Sequence, residues 1–299
     1  MPKPTTTKRA PKFKRKPEEV GGLRLQKRDV DIIRLIYDYR FLNSQQIKTL
    51  VNSSERTLRR LQKLFHHGFL DRPLSQVVCS LNGAQKMVYA LGDKGADLLA
   101  ENFGIDRGKI KWKEKNEEVK DRHIQHTLMI SDFRISLELA LDKLVNTRLL
   151  FWEKENPKEL KDYVYIEDGG REIRAPIVPD GFFGIEDPQG KMYWFVEADQ
   201  STMVNARFLK KMRAYWNWWK RGRHTRKFGI KAFRVLTITK TEQRKENLRK
   251  ITKGADERQK GSLMFWFTSE QNYNIQEPES ILEPIWQTSK DDSYHSLLE

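Results

Sequence analysis

Apolar side chains recur at helical spacing in three short segments between residues 25 and 68. The apolar positions of the three predicted helices are Val30, Ile33, Ile36 and Tyr37, then Ile47, Leu50 and Val51, then Leu58, Leu61, Leu64 and Phe65. Asn43 and Ser44 are good caps for the second helix, Ser53 or Ser54 caps the third, and Gly68 ends it. The pattern predicts three short helices joined by short turns.

The pattern then changes to strands. The segment "FLDRP" reads as one strand, and "QVVCSLNGAQKMVYALG" as a two-stranded hairpin that turns at Asn82-Gly83. A last helix, "DKGADLLAEN", closes the unit. Three helices, a hairpin and a helix in this order predict a winged helix-turn-helix domain over residues 23–103.

The second half alternates long helices with strands. A long amphipathic helix begins at "HIQHTLMISDF", and strands are predicted near 148–153, 163–167, 172–178, 180–186 and 192–198. A helix over 203–221, the strand "FRVLTIT", a helix over 241–252 and the strand "LMFWFT" follow. This order predicts an α/β (α+β) domain with a mixed sheet over residues 121–270. A charged linker is expected over 104–120, and a C-terminal tail over 271–299 that packs on the second domain through Trp286.

Charge points to a polyanionic partner. The chain of 299 residues has a net charge of +15, and its pI is about 9.7. Nucleic acid is the leading partner for such a folded basic protein, although ribosomal and membrane-surface proteins show a similar excess. Residues 1–22 are basic and proline-containing and predict a disordered tail. A single cysteine, Cys79, and no apolar span or signal-peptide core favour a cytoplasmic protein without membrane contact.

The third predicted helix carries the basic side chains expected of a recognition helix. With its apolar stripe turned inward, the residues left on or near the outer side are Arg56, Arg59, Arg60 and Lys63, with only Glu55 to offset them. Arg72 and Lys86 on the predicted wing are further candidates for contact with double-stranded DNA. The alternative interpretation is an ordinary solvated helix face.

Two apolar strands in the second domain end in carboxylates. "VPDGFFGI" contains Asp180, and "YWFVEADQST" contains Glu197 and Asp199. Carboxylates delivered to one end of a sheet are typical ligands of Mg²⁺ or Mn²⁺. The residues resemble the PD-(D/E)XK nuclease pattern, which implies a metal held by Asp180, Glu197 and the backbone carbonyl of Ala198. This sequence departs from that pattern, because residue 199 is Asp where the pattern has Lys.

A cation from the following helix can replace the missing lysine. The predicted buried stripe of this helix consists of Val204, Phe208, Met212, Tyr215, Trp216 and Trp219. Relative to this stripe, Lys210 lies on the opposite face of the helix and Lys211 lies at the edge of the stripe. Lys211 is therefore the candidate catalytic cation. A lysine that extends from a helix flank to solvent is the alternative, and Asp180-Gly181 also fits a simple turn.

Several of these motifs together resemble the bacterial replication-relaxation family. They are the winged helix, "HTLMISDFRISLELA", "VPDGFF", "FVEADQST" and "KKMRAY", within residues 25–240. The family pattern is matched by Glu197, Asp199, Thr202, Lys211 and Tyr215. The resemblance implies a protein of plasmids or other mobile elements that acts in replication or DNA relaxation during transfer, with replication or transfer proteins as further partners.

Three functions, from two different classes, follow. The first is a DNA-binding protein that nicks DNA with a divalent metal, using Asp180 and Glu197 as ligands, Asp199 as a third carboxylate and Lys211 to steady the phosphate. The second is a non-catalytic origin-binding or transcription-regulating protein that retains a degenerate nuclease fold. A restriction-type endonuclease is a third, and predicts a dimer. The sequence shows neither a Walker A motif nor the paired histidines of a tyrosine relaxase.

Overall fold

A computed structural model describes residues 11–52, 56–76, 86–110, 112–154, 159–201 and 203–299. The chain divides into two compact units, residues 1–131 and 132–299. Within the described ranges, no helix is both long enough and apolar enough to cross a membrane. Each unit has its own sheet and its own buried apolar residues.

The first unit contains short helices around a small antiparallel sheet. In chain order its elements are α1 (Lys27–Tyr39), β1 (Leu42–Asn43), α2 (Ser44–Leu50), α3 (Arg56–His66), β2 (Leu70–Asp71), β3 (Val88–Leu91), α4 (Asp93–Phe103), α5 (Lys113–Glu118) and the start of α6 (Asp121–Leu141). Strand β3 lies between β1 and β2 and is antiparallel to both. This order agrees with the predicted one. The wing itself stays a prediction, because the turn Asn82-Gly83 and the proposed caps Ser53 and Ser54 lie outside the described residues.

Local side-chain bonds explain where the helices begin. The side chain of Asn43 accepts hydrogen bonds from the backbone N–H groups of Gln45 and Gln46, at 2.9 and 3.0 Å. In return the Asn43 N–H donates to Oε1 of Gln46 at 2.8 Å. This reciprocal capping box satisfies amide groups that lack partners within the helix, and it confirms Asn43 as the cap of α2.

A disordered tail is predicted over residues 1–22. Residues 1–10 lie outside the described residues, and for residues 11–22 the structure contradicts the prediction. Arg15 donates to the backbone oxygens of Phe65 and Leu70, each at 3.2 Å. The N–H of Lys16 donates to Nδ1 of His66 at 3.0 Å. These contacts satisfy backbone and imidazole groups at the end of α3, so the basic residues of this segment serve the fold as well as the net charge.

The predicted linker over 104–120 also belongs to the first unit. Asn116 is 1% exposed, accepts a hydrogen bond from Arg40 at 2.7 Å and donates to the backbone oxygen of Leu91 at 3.0 Å. A buried amide with these partners fixes the charged segment on the small sheet. The division between the units therefore falls within α6, after Ser131, and not at 104–120.

The second unit is built on a seven-stranded mixed sheet in the order β12-β11-β10-β9-β8-β7-β4. Its strands are β4 (Arg148–Lys154), β7 (Gly181–Asp187), β8 (Gly190–Asp199), β9 (Arg234–Thr239), β10 (Phe265–Ser269), β11 (Trp286–Thr288) and β12 (Tyr294–His295). Strands β8, β9 and β10 are parallel, and the other pairs are antiparallel. A separate hairpin consists of β5 (Asp162–Asp168) and β6 (Arg171–Ile177). The α/β class and the mixed sheet are thus confirmed.

Three further helices complete this unit: α7 (Asn205–Lys220), α8 (Arg223–Phe228) and α9 (Glu242–Thr252). The buried face of α7 comprises Phe208, Met212, Ala214, Tyr215 and Trp218. The predicted stripe was therefore wrong at Val204, which is 68% exposed, and at Trp219, which is 39% exposed. Trp218 is fully buried instead and donates from Nε1 to Asp162 at 2.7 Å.

The C-terminal residues extend the sheet. Strand β11 pairs with β10 and β12 pairs with β11. Trp286 is fully buried, and its ring meets that of Phe133 at 6.0 Å in an edge-on arrangement. The segment predicted as a packing tail is thus an integral part of the second unit.

Candidate functional site

Some of the basic residues of α3 that are predicted to contact DNA are exposed to solvent, and others are bound to neighbouring parts of the first unit. Arg56 and Arg59 are exposed, and so is Lys86 just before β3. Lys63 is half-buried, and its Nζ donates to the backbone oxygen of Gly22 at 3.2 Å. Three cations of the predicted set are thus exposed.

Arg60 and Arg72 are not exposed in this way, which corrects the prediction for both. Nε of Arg60 donates to Oδ1 of the fully buried Asp29 at 2.6 Å. Arg72 is 7% exposed, donates to the backbone oxygen of Lys12 at 2.6 Å, and lies over the ring of Phe65 at 4.2 Å. Both guanidinium groups are committed to internal contacts, so neither is on an accessible wing or recognition surface.

The acidic residues of the second unit meet at the ends of β7 and β8. Gly181 pairs with Val196, and just before it the N–H of Asp180 donates to the backbone oxygen of Val196 at 2.9 Å. Oδ2 of Asp180 accepts from the N–H of Ala198 at 2.8 Å. Asp180 therefore lies opposite Glu197 on the neighbouring strand, fixed to the backbone of β8.

Glu197 is enclosed beneath α7. Only 4% of it is exposed; Oε1 accepts a hydrogen bond from the Tyr215 hydroxyl at 2.6 Å, and Oε2 forms an ion pair with Nζ of Lys211. Lys211 and Tyr215 are four residues apart, so they occupy one helix face one turn apart. Asp180, Glu197, Lys211 and Tyr215 are hereafter called the acidic cluster.

Electrostatics within the acidic cluster are strongly perturbed. Burial raises the pKa of Glu197 to about 7; Asp180 adds to this rise, while Lys211 and Tyr215 oppose it. Burial opposes the charge on Lys211, but Glu197 and Asp180 outweigh it and raise the pKa of the ammonium group. Burial and Glu197 raise the pKa of Tyr215 well above its usual value. Near neutral pH, Lys211 is therefore a cation and Tyr215 a hydrogen-bond donor, while Glu197 is within reach of both protonation states.

Asp199 is bound by a cation that the sequence analysis missed. Arg244, at the start of α9, donates from Nε and Nη2 to the two carboxylate oxygens at 2.7 and 3.2 Å. The N–H of Ser201 donates to the same carboxylate at 3.0 Å, and Arg244 also donates to Asn205 at 2.6 Å. A bidentate guanidinium pair of this kind fixes Asp199 firmly.

These contacts decide which predicted ligands suit a divalent metal. Asp180 and Glu197 fit by type and position, since two carboxylates on neighbouring strands supply the oxygen ligands that Mg²⁺ and Mn²⁺ prefer. Both oxygens of Glu197 are engaged, by Tyr215 and Lys211, so Glu197 could bind a metal only if it released Lys211. Asp199 is less suited, because the bidentate guanidinium group of Arg244 holds both of its oxygens. Across the described residues, no group of three His, Cys, Asp or Glu side chains is placed to hold a metal ion together. Thr202 lies outside the described residues.

Comparison with known protein families agrees with the resemblance in the sequence. The sequence model of the replication-relaxation family matches residues 33–232. The chain belongs to the replication-relaxation family. Membership indicates a role in plasmid replication or relaxation. No curated protein and no solved structure matches the chain.

The family match covers only part of the site of this replication-relaxation protein. It includes α3 and all four residues of the acidic cluster, but it ends before Arg244. The sequence marks the start of the helix that carries Arg244, but not its contact with Asp199. The capping residue Thr241, whose side chain accepts from the Arg244 N–H at 3.2 Å, starts α9 directly after β9, and β9 pairs in parallel with the strand that carries Asp199.

Proposed function

We propose that this replication-relaxation protein binds double-stranded DNA through α3 and acts at a DNA site of a plasmid or other mobile element. The observation that carries the proposal is the exposure of Arg56 and Arg59, one turn apart on α3, with Lys86 as a third exposed cation in the same unit. Arginine side chains on an exposed helix face supply phosphate contacts and bidentate contacts to guanine. The net charge of +15 supports the same partner.

The fold around these arginines favours this proposal over an ordinary solvated face. Arg60 bonds to Asp29 in the first turn of α1, and Lys63 bonds to Gly22 before α1. These two contacts hold the start of α1 and the chain before it against one side of α3. A helix supported in this way presents its remaining basic side chains from a fixed position. A fixed helix lowers the entropic cost of placing these side chains against a DNA duplex.

The experiment is duplex binding as a function of salt, with DNA from the gene's own neighbourhood. Arg59→Ala and the double variant with Arg56→Ala are compared with Arg171→Ala, which removes an exposed arginine from β6 of the other unit. The α3 variants are expected to weaken binding and to reduce the slope of log K against log salt by about 0.9 for each lost phosphate contact. Equal affinity and slope for all variants would reject α3 as the DNA-binding element.

Metal-dependent nicking is a second candidate, supported by the position of Lys211 beside Asp180 and Glu197. When bound, Mg²⁺ or Mn²⁺ would supply an activated water and charge stabilisation at the scissile phosphate. Asp180 and Glu197 would hold the ion, Lys211 would exchange its contact with Glu197 for one with the phosphate, and Tyr215 would orient Glu197. Asp199 serves in this proposal as an anchor for Arg244, and not as a third ligand.

Nicking is tested with supercoiled plasmid and either metal ion. Wild type is compared with Asp180→Asn and Glu197→Gln, which keep side-chain size, and with Asp168→Asn as a carboxylate outside the cluster. Loss of nicking in the first two variants alone supports the second candidate. Duplex binding without nicking by any of the proteins supports the non-catalytic alternative, in which the acidic cluster stabilises the fold only.

A further inference from the structure

A cavity of about 380 Å³ lies in the second unit, away from the acidic cluster. It is lined at the sheet by Trp194 and Arg234, which form the first pair of the parallel β8–β9 register. Glu197, the residue of the acidic cluster on β8, pairs with Thr237 three residues farther along the same register. With a rise of about 3.3 Å per residue, Trp194 and Glu197 are roughly 10 Å apart along the strand. No residue of the acidic cluster is among the described residues that line the cavity, so the cavity is a separate site.

The walls of the cavity are aromatic. Trp216 and Trp219 of α7 lie with ring centroids 5.1 Å apart and planes inclined by 37°, and Tyr193 and Phe233 also line the cavity. Trp219 is 39% exposed and Leu263, at the rim, is 49% exposed. Large exposed apolar side chains gathered at one concave site mark a binding surface more often than single scattered ones do.

The charge at this cavity is positive. Lys191 and Arg234 line it, and among the described residues of its wall there is no acidic side chain. The Lys191 ammonium is 3.7 Å from Glu186 in an exposed ion pair, which water screens strongly. Arg234 lies over the ring of Trp266 at 4.4 Å and donates to the backbone oxygen of Glu299 at 3.1 Å. A ligand here meets aromatic faces and cations together.

We propose that this cavity binds single-stranded DNA, with bases stacked on Trp219 and Trp216 and the phosphate backbone beside Lys191 and Arg234. Every base has a flat face that stacks on an indole, so the site is tolerant of sequence, and the cations match the charge of the strand. A purely apolar peptide would offer no negative charge to either cation. This site is distinct from the proposed duplex-binding helix α3, because it lies in the other unit and would bind single-stranded DNA.

The experiment measures binding of fluorescent oligothymidine and of a duplex by the full chain at physiological ionic strength. Trp219→Ala and Lys191→Ala are compared with Tyr165→Ala, which removes a similarly exposed aromatic ring from β5 outside the cavity. We expect Trp219→Ala to weaken oligothymidine binding by about fivefold or more, Lys191→Ala to weaken it and flatten its salt dependence, and Tyr165→Ala to leave it unchanged. Trp219→Phe, which keeps a stacking ring, should restore most of the affinity.

The duplex measurement separates this proposal from the proposed function. Arg59→Ala should weaken duplex binding and leave oligothymidine binding in place, and Trp219→Ala should do the reverse. Lys191→Ala provides a second test, because it removes a charged side chain that is 55% exposed and leaves the aromatic walls of the cavity unchanged. Oligothymidine affinity that is equal in wild type, Trp219→Ala and Lys191→Ala would overturn the proposal, as would a change of oligomeric state in Trp219→Ala without any change in oligothymidine affinity.

Discussion

Arg60 on α3 is bound to Asp29 on α1, a carboxylate with no exposed surface. Asp29 also accepts from the N–H of Gln26 at 2.7 Å, which caps α1. One buried carboxylate thus joins the first turn of α1 to the middle of α3. A basic residue that the sequence assigns to a DNA surface here serves the fold.

Arg60→Ala is therefore expected to destabilise the first unit, because it leaves Asp29 buried without its cation. The expected loss is about 2 to 3 kcal/mol of unfolding free energy, since the guanidinium group retains some exposure. Urea unfolding measures it, with Arg59→Ala as the control that should stay within about 0.5 kcal/mol of wild type. An Arg60→Ala protein of unchanged stability would contradict the buried pair.

Two adjacent lysines on α7 provide a matched comparison. Lys210 pairs with Asp168 at 2.6 Å with both side chains well exposed, whereas Lys211 pairs with the buried Glu197. Lys211→Ala should cost about 3 kcal/mol, because it leaves a buried carboxylate without its cation, and Lys210→Ala less than about 1 kcal/mol. Adding Glu197→Gln to Lys211→Ala should recover part of the loss in thermal or urea unfolding. Equal effects of the two lysines would show that Glu197 does not depend on Lys211.

Acid should weaken the contact between the β5–β6 hairpin and the helices beside it. Burial alone would raise the pKa of Asp162, but hydrogen bonds from Arg223, Trp218 and the Tyr163 N–H outweigh burial and lower it. A lowered folded pKa means that the stabilisation is present above the ordinary pKa near 4 and is lost as the pH falls below it. The melting temperature of Asp162→Asn should therefore lie below that of wild type at pH 7 and approach it in strong acid. A difference that does not depend on pH would argue against the ionic contribution.

Trp286 should be required for the second unit to fold stably. Its ring is fully buried against Phe133, and Nε1 donates to the backbone oxygen of Ile281 at 3.2 Å. Trp286→Ala should cost about 4 kcal/mol through the cavity it creates. Tyr294→Ala, which removes a ring that is 55% exposed, is the control and should change the melting temperature little. A small effect of Trp286→Ala would mean that the C-terminal strands are dispensable.

Local patterns predicted the helices and strands well, because the periodicity of a helix or strand depends only on residues that are close in sequence. The spacing of Phe208, Met212 and Tyr215 was enough to place Lys211 at the edge of the buried face of α7, where the structure pairs it with Glu197. The same spacing failed at Trp219. Continuing the stripe at fixed spacing predicts that Trp219 is buried. In the structure Trp218 is buried instead, and its Nε1 donates to Asp162.

Partners distant in sequence were beyond prediction from one chain. Arg244 is 45 residues from Asp199, and Arg60 is 31 residues from Asp29. Nothing in the periodicity of either segment marks these pairs, since each is fixed by how elements pack. Exposed and paired arginines look alike in sequence, which is why Arg59 and Arg60 were placed together on one DNA-binding face.

The two C-terminal strands limit the pairing of the sheet edge with a second copy of the chain. Strand β10 would otherwise leave a row of unpaired amide and carbonyl groups along five buried residues. Because β11 pairs with β10 and β12 is only two residues long, this edge of the sheet, the one opposite β4, offers only a short strand for a second chain to pair with. During synthesis β10 emerges before β11 and β12, so its edge stays open to pairing with another chain until residues 286–295 have docked.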